Sequence, residues 1–556
     1  MPYSVQRTGG SALPKIPTVG LSLRLLRKGV AADKALKEDH GLEEVPSTSG
    51  TLFVGQSPSM PPSWAKFLSY YTVDGLAMLR TQSCSAVLLL EVGKGQKKRL
   101  FALCFGQGHH ALDDDTIQHG FGLRVVLNSV SRSQLRTLDS ASLDTTVMQR
   151  RVQASRDSDL SAFDLDANRN LLRLASGTPK SGEFAKALAG KDALHLRAAV
   201  SPDKLAEHCE KALKLYGATD YKTDFAFIDH VEPVGERLLT QELDAIAFGE
   251  LKAMVVAANS SDLHLAIPDI LSPDAGLEIG YFGTGLTPGQ KQAYGELAID
   301  DYVAELQKGD FDQIADMAAL RGSHEIRVIA DGEGDRAHKR KLYTCFVHEV
   351  TLRDDVYVLF DGQWFRISRD YHKEIDDAYH ALLKPAFRAK TVARNERALI
   401  AELEAEADLI SMDQTKVSPK GAARASLEPC DFLSRAKQLI HLKDGHSSAP
   451  LSHLWNQGLV SAEAFVSDDT FRKGFRTAAQ KREKKFGKQG FAGLLPDGRS
   501  KLVPGDYTIV FGVMRHPYAA SGQIGLPFFS KVALRAVAER ISLMGFPVEL
   551  HLIEKK

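Results

Sequence analysis

Between Leu427 and Gly458 the chain reads LEPCDFLSRAKQLIHLKDGHSSAPLSHLWNQG. Asp431 stands at the end of one short apolar run, and His441-Leu442-Lys443 ends the next. Successive side chains in an extended strand alternate faces, so His441 and Lys443 share one. A carboxylate and an ammonium group brought together at neighbouring strand ends can hold a divalent cation and support the charge of a phosphodiester. The candidate catalytic residues are therefore Asp431, Lys443, His441 and Glu428, and the candidate metal ligands are Asp431, Glu428, Asp413 and Glu396. Mg²⁺ or Mn²⁺ is the expected cofactor, because carboxylate oxygens suit hard cations while the His441 imidazole suits softer ones such as Mn²⁺ or Zn²⁺. Glu428 precedes Asp431 by three residues, so a regular strand turns it to the opposite face and only a bulge returns it. Taken alone the triplet is weak, since apolar strands commonly end in Lys or Asp where they emerge into water.

The elements around these residues strengthen the reading. Helical periodicity runs through ARNERALIAELEAEADLI, which carries Glu396. SMDQTKV, LEPCDFL and QLIHLK read as three strands, SAPLSHLWNQGLVSAEAF as a helix, DYTIVFGVM as a buried strand, FFSKVALRAVAERISLMG as a helix and PVELHLI as a last strand. The order αβββαβαβ predicts a mixed sheet flanked by helices. In that order, and in the placement of Asp431 and Lys443, the stretch resembles the restriction-endonuclease-like (PD-(D/E)XK) nucleases. The resemblance implies an acid on the second strand, an acid or glutamine and then a lysine on the third, and metal-dependent cleavage of DNA. His441 departs from it by standing where the acid or glutamine belongs.

Two features suit a nucleic-acid partner. His453, Gln457 and Ser461 recur at i, i+4 and i+8, placing a polar stripe on one helix face beside the site; the alternative is a surface helix whose other side carries Leu451, Leu454, Trp455 and Leu459. From Phe471 to Lys501 ten Lys or Arg face only two acids, Glu483 and Asp497. Arg472, Lys473, Arg476, Lys481, Arg482, Lys484 and Lys485 would track a phosphate backbone from a flexible basic linker, unless the tract is merely a solvated loop.

Around this site the 556 residues divide, on pattern, into an N-terminal mixed α/β region (1–230), a middle region with an antiparallel β meander (231–385) and the restriction-endonuclease-like unit (386–556). The fold class expected is α+β, multidomain. SAVLLLEV and RLFALCF predict a hairpin, and EIRVIAD, LYTCFVHEVTL, DVYVLFDG and QWFRISRDY a meander. With 70 basic and 70 acidic residues, global charge selects no partner. Five scattered cysteines, no apolar run near 18 residues and no apolar leader point to a reducing cytoplasm and no membrane. FGQGHHALDDDTIQHGFG, with His109, His110, His119 and Asp113 to Asp115, matches no standard ligand spacing and reads as a turn; YKTDFAFIDHV reads as packing around an aromatic strand. No GxxxxGK[ST], HExxH or GxSxG occurs.

PPSW at Pro61–Trp64, RLFALCFGQG with FGLRVVLN, YKTDFAFID, YVLFDGQWFRI, EPCDFL with LIHLK, SHLWNQGLVSA and LPFFSKVALR together resemble an uncharacterised, sporadically distributed bacterial family. That resemblance implies a bacterial, cytoplasmic protein of mobile or defence-associated loci. One position departs: the family usually has a second basic residue after the strand lysine, and here it is Asp444. The expected function is a metal-dependent DNA endonuclease in antiphage defence, as a homo-oligomer or with a defence-system partner. The alternatives are a non-catalytic nucleic-acid- or partner-binding subunit with a degenerate nuclease fold, and a toxin-like effector acting on RNA.

Overall fold

The structure is a computed structural model and describes residues 18–71, 76–95, 98–142, 149–154, 163, 170–257, 261, 263–267, 278–287, 293–295, 297–329, 338–420, 426–445, 448–497, 502–517 and 523–556. It is α+β, with mixed and antiparallel sheets flanked by helices.

Alternating apolar and polar residues build a ten-stranded antiparallel sheet from β1 (Thr18–Leu25), β2 (Glu43–Val45), β3 (Thr51–Gln56), β4 (Cys84–Val92) and β5 (Arg99–Gly106). It continues with β6 (Val130–Ser142), β7 (Gln149–Gln153), β8 (Asn170–Pro179), β9 (Ala187–Gly190) and β10 (Ala193–Ala199), in the order β2-β3-β4-β5-β1-β10-β9-β8-β6-β7. β4 and β5 pair as the expected hairpin. Leu21, Leu23 and Leu25 of β1 pack with helices α1 (Phe121–Ser129) and α2 (Leu205–Tyr216) in one core. The stretch expected as an aromatic strand, Lys222–His230, is instead a turn of α-helix followed by a 3-10 helix. Its phenylalanines pack against that same core, a job a curled segment does as well as a strand.

In the middle of the chain, Phe346–Leu352, Asp355–Phe360 and Gln363–Ile367 form an antiparallel meander. Both hairpins turn on two residues with positive φ, Arg353-Asp354 and Asp361-Gly362, the geometry that matches strand twist. EIRVI does not join them. Glu325–Ile329 pairs with Glu278–Phe282 and His338–Lys341 in a separate three-stranded sheet, because sheet membership is decided by long-range packing that alternation along one strand does not encode.

Helix α3 (Arg369–Leu382) leads into the last unit, β11 (Lys390–Thr391), α4 (Glu396–Leu403), β12 (Leu409–Ser411), β13 (Phe432–Ser434), β14 (Gln438–Asp444), α5 (Ser448–Ser467), α6 (Asp469–Phe486), β15 (Thr508–Arg515), α7 (Phe528–Leu543) and β16 (Val548–Lys555). Its six strands run β11-β16-β15-β14-β13-β12. β12, β13 and β14 pair antiparallel, whereas β14, β15 and β16 are parallel. The parallel strands are near-continuous apolar runs because both faces are covered. Leu399, Ile400 and Leu403 of α4 meet Phe432, Ile440 and Leu442 on one side; Leu451, Leu454 and Trp455 of α5 meet Leu439, Phe511 and Val513 on the other.

The expected basic linker is a helix. Asp468 caps α6 by accepting hydrogen bonds from Thr470 and Phe471, Gly487 ends it at φ 65°, and Phe471, Phe475 and Ala479 bury a stripe at helical spacing. The element order is therefore αβββααβαβ rather than αβββαβαβ. The middle meander holds this unit directly, since Glu349 accepts the Phe528 and Phe529 N–H groups at the start of α7 (2.6 and 3.2 Å). All five cysteines are free thiols. No helix among the described residues is long and apolar enough to cross a membrane.

Candidate metal centre and nucleic-acid interface

At the end of β14 the chain brings together carboxylates that are distant in sequence. Asp431 stands just before β13, not at its end, and its backbone is clamped on both sides: its N–H donates to Ile440 O (2.9 Å) and its carbonyl accepts from Met412 N (2.7 Å). The side chain turns inward, where Oδ2 accepts from Leu442 N (2.6 Å). Glu428 arrives on an irregular segment held by a two-way backbone bridge between Val417 and Leu427 (2.9 Å each way). Without strand alternation over 428–430, Glu428 and Asp431 reach the same side. Asp413 lies in the tight turn after β12, where Gln414 has φ 57° and donates its N–H to Glu428 Oε1. One carboxylate oxygen each from Asp413, Glu428 and Asp431 lie within 4.8 Å of one another.

This crowding has an electrostatic signature. Burial, reinforced by Glu428, Glu396 and Asp413, raises the Asp431 carboxyl to about 8 against the opposing Leu442 N–H hydrogen bond. Burial and neighbouring acids also raise Glu428 and Asp413. Carboxylates that disfavour one another's ionisation are those a divalent cation would relieve.

Glu396, the first residue of α4, meets Lys443 across the strand end, with Nζ 2.8 Å from Oε2 and both side chains half-buried. Asp444 is answered by Lys555 at 2.9 Å, so the acid after the strand lysine is partly neutralised within the sheet. His441 does not reach this surface. It is 0 % exposed, sits between β14 and α5 near Phe511, and burial lowers it to about 4, leaving a neutral ring with neither nitrogen hydrogen-bonded among the described residues.

The expected nucleic-acid contacts divide in two. Ser461 is buried and donates to Pro429 O, and half-buried Gln457 reaches Glu428 Oε2 (3.4 Å); only His453 of that stripe is exposed. The first two brace the loop that carries Glu428. On α6, Arg472 donates to the Phe465 and Val466 carbonyls (3.1 Å each) and Arg476 to Leu495 O (3.0 Å). Arg482 donates to Thr415 Oγ1 (3.0 Å) and to Asp413 O, so it fixes the turn bearing a candidate metal ligand. Lys473, Lys481, Lys484 and Lys485 are exposed, with Lys485 over the Phe486 ring. Glu483, the acid among them, is turned inward onto the Phe491 and Ala492 N–H groups (2.6 and 3.1 Å). Lys473 and Lys481 line a groove with Lys416, Thr470, Thr477 and Ser418, between α6 and the loop following Asp413. The sequence reading overlooked Lys416; its signal is its place three residues after Asp413. Residues 498–501, at the end of the basic tract, lie outside the described residues.

The chain belongs to a family of unknown function, DUF6119, which it matches over residues 21–554. No curated protein and no solved structure matches it.

Proposed function

We propose that the chain is a metal-dependent nucleic-acid phosphodiesterase built on a restriction-endonuclease-like core in its C-terminal unit. The observation that carries this reading is the convergence of Asp413, Glu428 and Asp431 beside the Lys443–Glu396 pair at the end of a central strand. The donor set is all carboxylate oxygen, which suits Mg²⁺ or Mn²⁺. A cation bound there would polarise a phosphate oxygen and lower the pKa of water. The protein's own contribution is to hold those carboxylates, through Leu442 N–H, Gln457 and Arg482, and to present Lys443 to the charge that develops on phosphate. His441 serves as packing rather than as a ligand in this arrangement. The exposed lysines of α6 and Lys416 supply the phosphate track, with DNA favoured over RNA as substrate.

Incubating supercoiled plasmid with the full chain and Mg²⁺ or Mn²⁺ tests the proposal. Cleavage should fall by at least about 100-fold in Asp431→Ala and Lys443→Ala, the scale on which transition-state charge stabilisers act. Cleavage unchanged by both substitutions would sink the assignment, and degradation confined to RNA would move the substrate. A second reading, a nucleic-acid-binding subunit without cleavage, is favoured by His441 in place of an acid; it predicts steeply salt-dependent DNA binding with no nicking in either metal.

A further inference from the structure

The ten-stranded sheet is covered unevenly. Because Leu21, Leu23 and Leu25 face α1 and α2, the alternate residues Gly20, Ser22 and Arg24 face the other way. Register carries that second face across the strands: Ser22 stands opposite His195, His195 opposite Ala189, and Ala189 opposite Ser176. A second row sets Gly20 against Arg197 and Arg197 against Ala187. Toward β4 this face is filled by a small core of Val87, Leu89, Ala102 and Leu112. Toward β8 it opens into a groove of about 830 Å³, a volume ordinary for a small-molecule site.

Its lining is chemically one-sided. Arg24, Arg136, Arg197, His109 and His195 contribute to it, and no Asp or Glu does among the described residues, in a chain whose acids and bases are equal in number. One nitrogen of Arg24, Nη1, is buried with no hydrogen-bond partner among them, a donor left over on this face. Small residues, Gly20, Ala187 and Ala189, keep the floor low, Ser22, Ser176 and Thr178 add hydroxyls, and exposed His195 presents its ring on this face. The neighbouring cavity between this sheet and the meander, also cation-rich, lacks this character: Asp361 answers Arg173 and Lys191, Asp115 answers Arg321, and Asp192 answers His119.

We propose that the groove is a binding site for a nucleoside phosphate, with Arg24 and Arg197 on the phosphate and His195 against the base. A guanidinium matches phosphate oxygens with paired donors, and an exposed aromatic ring offers a base its face. The site is separate from the carboxylate cluster and does not depend on cleavage activity.

Titration calorimetry on the full chain, without metal and at low salt, tests this with ATP, AMP, adenosine and inorganic phosphate. ATP and AMP should bind, with adenosine and phosphate each at least about tenfold weaker than AMP, since each lacks one of the two contacts. Arg197→Glu and His195→Ala, both at exposed positions, should each weaken AMP about tenfold while keeping the wild-type melting temperature. Lys443→Ala should bind AMP as wild type does, whatever its effect on plasmid. Absence of binding by AMP and ATP at millimolar concentration would overturn the proposal, as would wild-type affinity in both groove variants. Binding of a thymidine oligonucleotide without binding of AMP would overturn it too, in favour of a strand-binding face.

Discussion

Asp431 makes the pH dependence of this protein calculable in sign. Its carboxyl is raised to about 8, whereas in the unfolded chain it returns to the ordinary aspartate value of about 3.9. Between those values the folded state holds a proton that the unfolded state has lost, so this group's contribution to stability is full at acid pH and is lost as pH rises toward 8. The melting temperature of metal-free protein should therefore decline from pH 5 to pH 8, and Asp431→Asn, which cannot ionise, should flatten that decline. Mg²⁺ or Mn²⁺ should raise the wild-type melting temperature more at pH 8 than at pH 5, and in the Asn variant by little at either; equal shifts in both proteins would remove Asp431 from the metal set. Asp431 and Lys443 were visible in the sequence because each flanks an apolar run. Glu428, Asp413 and Glu396 were candidates there too, but the contacts they make were not legible. Glu396 lies 47 positions from Lys443, and the shared side of Glu428 and Asp431 depends on irregular backbone at 412–417 and 427–430 that no period describes.

Elements were legible where burial leaves a simple pattern. β14, β15 and β16 are buried on both faces and show as continuous apolar runs, whereas α6 was hidden by its own lysines. Its Phe471, Phe475 and Ala479 do recur every four residues, a stripe outweighed by the charges around it. Once it is a helix, its cations separate by task. Lys473→Ala and Lys481→Ala should each weaken DNA binding and reduce the salt slope by about one unit, as expected of single phosphate contacts. Arg482→Ala should instead impair metal-dependent activity through the Asp413 turn, seen as a higher metal requirement with a nearly unchanged salt slope. The seat of α5 is equally specific. A Cβ at Gly458 would lie 2.4 Å from Phe511 Cε1, so Gly458→Ala should cost about 1–3 kcal/mol by overpacking, measurable by urea denaturation.

The three regions expected from the sequence each contain a sheet, and what joins them was not encoded locally. Arg173 of β8 is almost wholly buried beneath Asp361, which also takes Lys191, so a single turn residue of the meander binds two cations of the first sheet. Asp361 has φ 51°, a conformation asparagine tolerates, so Asp361→Asn should keep the turn and remove the charge. The loss should be on the order of 2 kcal/mol, because the buried Arg173 and its neighbour Lys191 lose a shared carboxylate; coincident unfolding of all units by calorimetry before the change, and separated transitions after it, would identify this turn as the coupling point.

The hold of Arg482 on the Asp413 turn has a consequence that reaches beyond geometry. The helix whose exposed lysines are proposed to meet nucleic acid also anchors a ligand of the proposed cation, so the two proposed binding events share one helix. Any tightening of metal affinity by nucleic acid must then be matched by an equal tightening of nucleic-acid affinity by metal, because coupling between two ligands is reciprocal. If the proposed reading holds, the nucleic acid would itself help to load the cation.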